Sequence, residues 1–263
     1  MYNKRKHFGQ HMLSDQGILQ YEVDMLSPDG KVVLEIGGGT GNLSRPLSER
    51  AKHLIIIEKD FSFVQELQDM FFEHKNVTVI EGDFLKTNQK EILQKSKQKK
   101  IDLIISNVPY SISSPLLFKL REFDFEKAVL CLQKEFVDRM VAKPGDREWS
   151  RLSVMTDYYF KPIYLKKVGR GAFKPVPQVD SAIVMLFKKN REIDKERDLF
   201  VERLFTHRKN TLHAASKADE IVKNYPNIQE AIAETGLGKR RIFTLSNDEI
   251  DKVYELIRQK NRK

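Results

Sequence analysis

The chain has one cysteine and one tryptophan among its 263 residues. A lone Cys131 cannot close an internal disulfide, so oxidative cross-links are excluded as a source of stability. Its place inside an apolar run reads as a buried structural thiol rather than a nucleophile, and a reducing, cytoplasmic setting is expected. The six histidines are scattered, none at metal-ligand spacing, so no metal partner is expected. No apolar run approaches the length of a membrane span, and no membrane partner is expected. The basic residues Lys4, Arg5 and Lys6 are not followed by the apolar segment of a secretory leader. The loop G-x-x-x-x-G-K-[ST] is missing, which argues against a nucleoside triphosphate as ligand. Internal repeats and low-complexity linkers are also missing.

What is present is enough apolar material for a real core: 40% of residues are hydrophobic. Lys and Arg number 46 against 37 Asp and Glu, a net charge of +9 that favours a polyanionic partner. Lys86–Lys100 carries six lysines and a single acid, and reads as a solvated helix and loop or as a contact for RNA. Lys161–Lys174 has five positive residues and no acid.

Strand-like apolar runs alternate with helical spacing up to about residue 190. Lys31–Ile36, Leu54–Ile57, Val77–Ile80, Ile101–Ser106, Ala128–Leu132, Ile163–Val168 and Val179–Phe187 read as strands. From about Arg191 only helices are expected, including one long helix over Asp194–Ser216 and a last one capped by Ser246 and Glu249. The expected organisation is an α/β domain over 1–190 and a small all-α domain over 191–263.

Four chemical features fall at the ends of successive strands. Gly37-Gly38-Gly39-Thr40-Gly41 follows the first strand, and its small residues allow a ligand close to the backbone. The spacing is G-x-G-x-G; a dinucleotide fingerprint needs a further glycine where Asn42 stands. Glu58 ends the second strand, about 20 residues beyond the glycines, where an acid can accept both hydroxyls of a ribose. Asp83 follows the third strand and can accept an adenine amino group, with Phe84 beside the ring. Asn107-Val108-Pro109-Tyr110 follows the fourth. In that loop the Asn107 side-chain oxygen and the Val108 carbonyl can accept the two hydrogens of an exocyclic amine, and Tyr110 can stack on its ring. An ordinary proline turn and a solvated strand-end acid are the alternative readings of the isolated features. In a parallel sheet these ends share one edge, and together they describe a pocket for a nucleoside-like cofactor. S-adenosyl-L-methionine fits that pocket best. Phe173, in the proline-stiffened run Phe173-Lys174-Pro175-Val176-Pro177, is read as presented by its loop to sandwich a base with Tyr110; a core-edge plug is the alternative.

Taken in order, Phe8-Gly9-Gln10-His11-Met12-Leu13, the glycine loop, Asn107-Val108-Pro109-Tyr110-Ser111-Ile112-Ser113 and Phe173-Lys174-Pro175-Val176-Pro177-Gln178-Val179-Asp180-Ser181 resemble the rRNA adenine N6-dimethyltransferases over nearly the whole chain. Leu204–Leu212 (LFTHRKNTL) is similar to the small-subunit (Ksg/Dim) type, and Arg241–Ser246 (RIFTLS) to its archaeal branch. The resemblance implies a Rossmann-like methyltransferase sheet with a helical RNA-binding domain. It implies dimethylation of two adjacent adenines in a hairpin near the 3′ end of small-subunit rRNA, free or in a pre-30S particle, by a monomer. The rival large-subunit (Erm) type and a silent assembly factor remain alternatives. Carried onto this chain, the catalytic positions are Asn107, Pro109, Tyr110 and Phe173; the cofactor positions are His11, Leu13, Gly37, Gly39, Glu58, Asp83 and Asn107. His11 stands where many relatives have Asn, and Ser111 where the family often has Asn.

Overall fold

A computed structural model of the chain describes residues 11–261. The motif residues Phe8, Gly9 and Gln10 lie outside the described residues. The chain divides into two compact units, residues 1–137 with 162–188, and residues 138–161 with 189–263.

The first unit is built on a mostly parallel sheet. Its elements are β1 (Met12–Leu13), α1 (Gln16–Leu26), β2 (Val32–Ile36), α2 (Ser44–Arg50), β3 (His53–Glu58), α3 (Phe61–Met70), β4 (Val77–Glu81), α4 (Gln89–Ser96), β5 (Leu103–Asn107), α5 (Ser113–Leu120) and β6 (Lys127–Gln133). The strands β7 (Phe160–Val168), β8 (Phe173–Lys174) and β9 (Ser181–Lys188) follow later in the chain. Seven strands pair in the order β4-β3-β2-β5-β6-β9-β7. β2 through β6 run parallel to their neighbours, and β9 is antiparallel to β6. β2, β3 and β5 are buried on both faces, which is why they read as unbroken apolar runs rather than alternating ones. The strand order turns back between β2 and β5, so the C-terminal ends of β2, β3, β4 and β5 open a crevice there.

Three local devices fix those strand ends. Gly38 packs so tightly that an added Cβ would stand 2.5 Å from Ile56 Cγ2, which sets how closely the glycine loop lies on β3 and α3. Ser106 Oγ donates to the Ile36 carbonyl at 2.6 Å, tying the end of β5 to the end of β2. β1 and β8 form a separate two-stranded sheet, with Leu13 opposite Phe173. That pairing has no periodicity to announce it, since each strand is two residues long.

The second unit holds α7 (Arg151–Tyr159), α8 (Lys195–Thr206), α9 (Leu212–Ala215), α10 (Asp219–Asn224), α11 (Ile228–Thr235) and α12 (Asn247–Lys260); α6 (Lys134–Val141) leads into it. The boundary expected at 190/191 is corrected, because residues 138–161 cluster with the C-terminal helices. Trp149 shows the reason: it is 1% exposed, and its indole donates to the Leu245 carbonyl at 3.1 Å. The single helix expected over 194–216 is two helices, broken after Thr206 where His207–Asn210 turn back. Arg197, 2% exposed, is buried against Asp251 at 2.6 Å and Asn247 at 2.7 Å and lies 3.5 Å above the Tyr158 ring. Among the described residues, no helix is long and apolar enough to cross a membrane.

Candidate active site

A cavity of about 180 Å³ lies in the crevice. Its lining brings together Gly37 and Gly39 from the first strand end, Glu58 from the second, Asp83 from the third, and Asn107 with Pro109 from the fourth. His11 and Met12 close one side. A smaller pocket of about 40 Å³ continues from it past Leu13, Glu35, Thr40 and Asn42.

The glycine loop needs its glycines. Gly37, Gly39 and Gly41 have φ of +79°, +50° and +77°, the left-handed region that side chains resist. A Cβ on Gly37 would meet nothing within 4 Å and would project into open space, and one on Gly39 would press on Met12 at 3.1 Å. The cradle is thus shaped for a ligand held close to bare backbone.

Glu58 is 6% exposed and clamped by backbone. One oxygen accepts from Gly39 N–H at 2.9 Å; the other accepts from Lys59 N–H at 2.7 Å and Asp60 N–H at 2.9 Å. The carboxyl therefore has one fixed pose, and it also locks the glycine loop to the end of β3. Asp83 accepts from Lys59 Nζ at 2.9 Å and from Leu85 N–H at 3.1 Å. Burial pushes its pKa up, but these hydrogen bonds together with the charges of Lys59 and Lys86 outweigh burial and hold the carboxyl below the ordinary aspartate range. Phe84 lines the cavity as its neighbour Asp83 does, with its ring backed by Phe123 at 4.9 Å.

Around the fourth strand end the rings are tethered. Tyr110 Oη and Ser181 Oγ share a hydrogen bond at 2.7 Å, and the Tyr110 ring centroid lies 5.9 Å from that of His11. Burial raises the Tyr110 hydroxyl pKa. His11 Nδ1 is bonded to the Pro175 carbonyl oxygen at 2.8 Å, so the proline-rich loop borders the same opening. Val108 N–H donates to the Cys131 carbonyl at 3.1 Å, continuing the β5–β6 ladder into the loop after β5.

One residue differs from its sequence reading. Phe173 is not presented to a base: it is 3% exposed, pairs with Leu13, and packs in the core with Val168 and Leu19. The β1–β8 pairing turns it inward, and the core-edge alternative is what the structure shows. Leu13 likewise buries its side chain at 3% exposure, and it faces the smaller pocket beside Asn42, whose Nδ2 donates to the Leu13 carbonyl at 3.0 Å.

Sequence reasoning missed two acids under the site. Glu35 on β2 and Glu22 on α1 are 1% and 0% exposed. Burial is the chief cause that pushes each pKa up to about 8; for Glu35 the carboxyls of Glu58 and Glu22 add to it. Glu22 lies on the helix face of Leu19, Val23 and Leu26, and a charged residue in that apolar stripe was a readable signal. The Asn107 amide partly offsets the effect of burial on Glu22. Glu35 Oε2, both oxygens of Glu22 and Oδ1 of Asn107 are buried, and among the described residues none of them has a hydrogen-bond partner.

The ribosomal RNA adenine dimethylase family model matches residues 1–257. A relative from Thermococcus onnurineus, named "Probable ribosomal RNA small subunit methyltransferase A", is 38% identical over 261 residues, covering 96% of this chain and 92% of the relative. One of the same name from Methanosarcina acetivorans is 36% identical over 258 residues, covering 95% and 92%. The crystal structure of a dimethyladenosine transferase from Plasmodium falciparum matches with a TM-score of 0.84 at 31% identity, covering 95% of this chain and 98% of that one. The 23S rRNA methyltransferase ErmE matches with a TM-score of 0.68 at 27% identity, covering 94% and 100%. A cavity ringed by strand-end acids, a bare glycine cradle and an Asn-Val-Pro-Tyr loop, on a chain matched from end to end, has one reading: this protein belongs to the ribosomal RNA adenine dimethylase family, the SAM-dependent rRNA adenine dimethyltransferases.

Proposed function

We propose that the protein dimethylates N6 of two adjacent adenines in a hairpin loop near the 3′ end of small-subunit rRNA. The observation that carries the reading is the convergence of Gly37, Glu58, Asp83 and Asn107 on one cavity. Small-subunit specificity is supported by the printed names of the relatives and by the higher TM-score to the dimethyladenosine transferase than to ErmE.

The residues present fit S-adenosyl-L-methionine. Gly37 and Gly39 leave room against backbone, Glu58 offers a carboxyl in a fixed pose for a ribose diol, and Asp83 offers an acceptor for an adenine amine. The orphaned Glu35 Oε2 lies at the smaller pocket, where a ligand ammonium group would satisfy it. Bound there, the cofactor supplies an electrophilic methyl group.

The chain's own part is positioning. An adenine N6 lone pair is delocalised into the ring and is a poor nucleophile. Acceptance of its two hydrogens by Asn107 Oδ1 and the Val108 carbonyl favours a pyramidal nitrogen and aims the lone pair at the cavity. Fixed acceptors of this kind act without reorganisation at the moment of reaction. Pro109 keeps the loop stiff, and Tyr110, tethered through Ser181, offers its ring as a stacking surface for a base drawn from its helix. Stacking of this kind contributes about 1–3 kcal/mol per base. The exposed Lys166, Arg170 and Lys174 in the first unit, and Lys239, Arg240 and Arg241 in the second, are suited to phosphate contacts that position RNA without reading its sequence.

The test is methylation of small and large ribosomal subunits from a strain lacking both modifications, with primer-extension mapping of each rRNA. Stops at paired adenines near the 3′ end of the small-subunit rRNA are expected. Stops on the large-subunit rRNA alone would replace the reading with the Erm type, and cofactor binding without any stop would favour an assembly factor.

A further inference from the structure

With Phe173 sealed in the core, the run Phe173–Ser181 brings no ring of its own to the opening of the cavity. What it brings is two polar contacts. The Pro175 carbonyl oxygen lies 2.8 Å from His11 Nδ1, and Ser181 Oγ lies 2.7 Å from Tyr110 Oη. His11 lines the cavity, and Tyr110 stands between Pro109 and Ser111, which line it too. One short segment therefore touches the two rings beside the Asn107 loop.

Each contact has a firm base. A carbonyl oxygen can only accept, so His11 Nδ1 is the donor, and this fixes where that ring points. The start of the run is held by the short sheet, with Met12 opposite Lys174 and Leu13 opposite Phe173. Its end is held by the large sheet. Ser181 is fully buried and opens β9 in register with Gln133 of β6. Just before it, Lys134 N–H donates to the Asp180 carbonyl at 3.0 Å. The Asp180 carboxylate accepts from Arg170 N–H at 3.1 Å and from Lys167 Nζ at 2.7 Å. The hydroxyl that meets Tyr110 is thus fixed to the sheet, whereas Tyr110 itself sits in a single helical turn, Tyr110–Ile112, outside it.

Spacing decides where a base can go. The His11 and Tyr110 ring centroids are 5.9 Å apart. A ring inserted between two others needs about 7–8 Å, for two contacts of about 3.5–4.0 Å each. No base fits between this pair, and Phe173 is not there to close a sandwich. Capture falls to the face of Tyr110 that His11 leaves open. A base stacked on a single ring is oriented only as well as that ring is.

We propose that the run Phe173–Ser181 is the buttress of Tyr110: Ser181 is the positioning residue that holds the ring, and the target adenine stacks on one face of it alone. The proposal rests on the reading of Tyr110 as the stacking surface. Ser181 is sealed from the cavity, so it acts through Tyr110 and not on the substrate. Its hydrogen bond keeps the ring at the angle from which the amine meets both Asn107 Oδ1 and the Val108 carbonyl.

The experiment is a double-mutant cycle on methyl transfer to undermethylated small subunits, with Ser181→Ala, Tyr110→Phe and the pair. Each single variant removes one partner of the 2.7 Å hydrogen bond and keeps the ring. Each should lower turnover by roughly 3–10-fold, with the KM for subunits and the affinity for cofactor within about twofold. The pair should lose no more than either alone, because one interaction is removed in all three. Losses that multiply, or full turnover in Ser181→Ala, would overturn the proposal.

A photoprobe decides the face. An 8-azidoadenosine at the target position of a hairpin RNA should cross-link to Tyr110 in the wild type. A cross-link to His11 or Phe173 would overturn one-sided capture.

A third measurement needs no RNA. A crystal structure of Ser181→Ala should show the Tyr110 side chain displaced from its wild-type pose or spread over two, with β9 in place. An unmoved Tyr110 would overturn the buttress. If the wild type methylates no rRNA at all, the proposed function fails, and this structure still judges what Ser181 does for Tyr110.

Discussion

Replacing Glu22 with Gln should stabilise the first unit, and by an amount that grows with pH. The folded carboxyl keeps its proton up to about pH 8, whereas the ordinary value in an unfolded chain is 4.5. Between those values the unfolded chain binds fewer protons than the folded one, so stability falls as pH rises. Below pH 4.5 both states are protonated and the penalty vanishes. The slope is about 1.4 kcal/mol per pH unit, and at pH 7 the accumulated cost is ~3 kcal/mol. Glutamine matches the protonated acid in shape and cannot ionise, so it escapes the cost. Glu35 titrates in both proteins and cancels to first order in the difference between them. The assay is thermal unfolding without cofactor, wild type against Glu22→Gln, from pH 5 to 8. The melting-temperature gap should open from about 2–3 °C at pH 5 to about 9–17 °C at pH 8, where the accumulated cost is about 4.4 kcal/mol, taking about 2–4 °C per kcal/mol for a chain of this size. A gap that stays constant with pH would refute the reasoning, because it would show that Glu22 ionises alike in both states.

Other outcomes follow from the same geometry. Glu58→Ala should weaken cofactor binding by at least ~100-fold in calorimetry, since charged hydrogen bonds contribute about 1.5–3 kcal/mol each and the Gly39 N–H loses its anchor; unchanged affinity would mean the ribose contact is misassigned. Asn107→Ala should keep cofactor affinity within about threefold yet nearly abolish methyl transfer, because it removes a contact made only to the reacting amine; an active variant would remove the loop from the mechanism. Phe173→Ala should destabilise the fold by about 3–5 kcal/mol in denaturant unfolding, as expected for a buried aromatic; a stability unchanged from wild type, with a loss confined to RNA binding, would restore the stacking role.

The strand-end sites were legible because a parallel sheet obeys a simple rule: whatever follows each strand shares one edge. Gly37, Glu58, Asp83 and Asn107 could therefore be grouped before any contact was known. Phe173 was misread because its environment depends on a partner strand 160 residues away, and two-residue strands leave no period in the sequence. The domain boundary moved for a similar reason: nothing local says that Trp149 will bond Leu245. The helix expected over 194–216 has helical spacing on both sides of its break, and the turn at His207–Asn210 carries neither Gly nor Pro to mark it. Glu22 was in plain sight on an apolar stripe, but an acid at such a position is more often solvated at a helix edge, and only packing shows it sealed.

The ribbon joining Met12–Leu13 to Phe173–Lys174 has a consequence for biosynthesis. A nascent chain that has emerged only as far as β6 has the glycine cradle and the acids, but its first strand lacks the partner strand it pairs with and keeps only the Asn42 hydrogen bond to Leu13. The pocket wall is closed only after residue 174 has been translated, so a ribosome-bound fragment ending before it should retain cofactor poorly while holding a largely formed sheet.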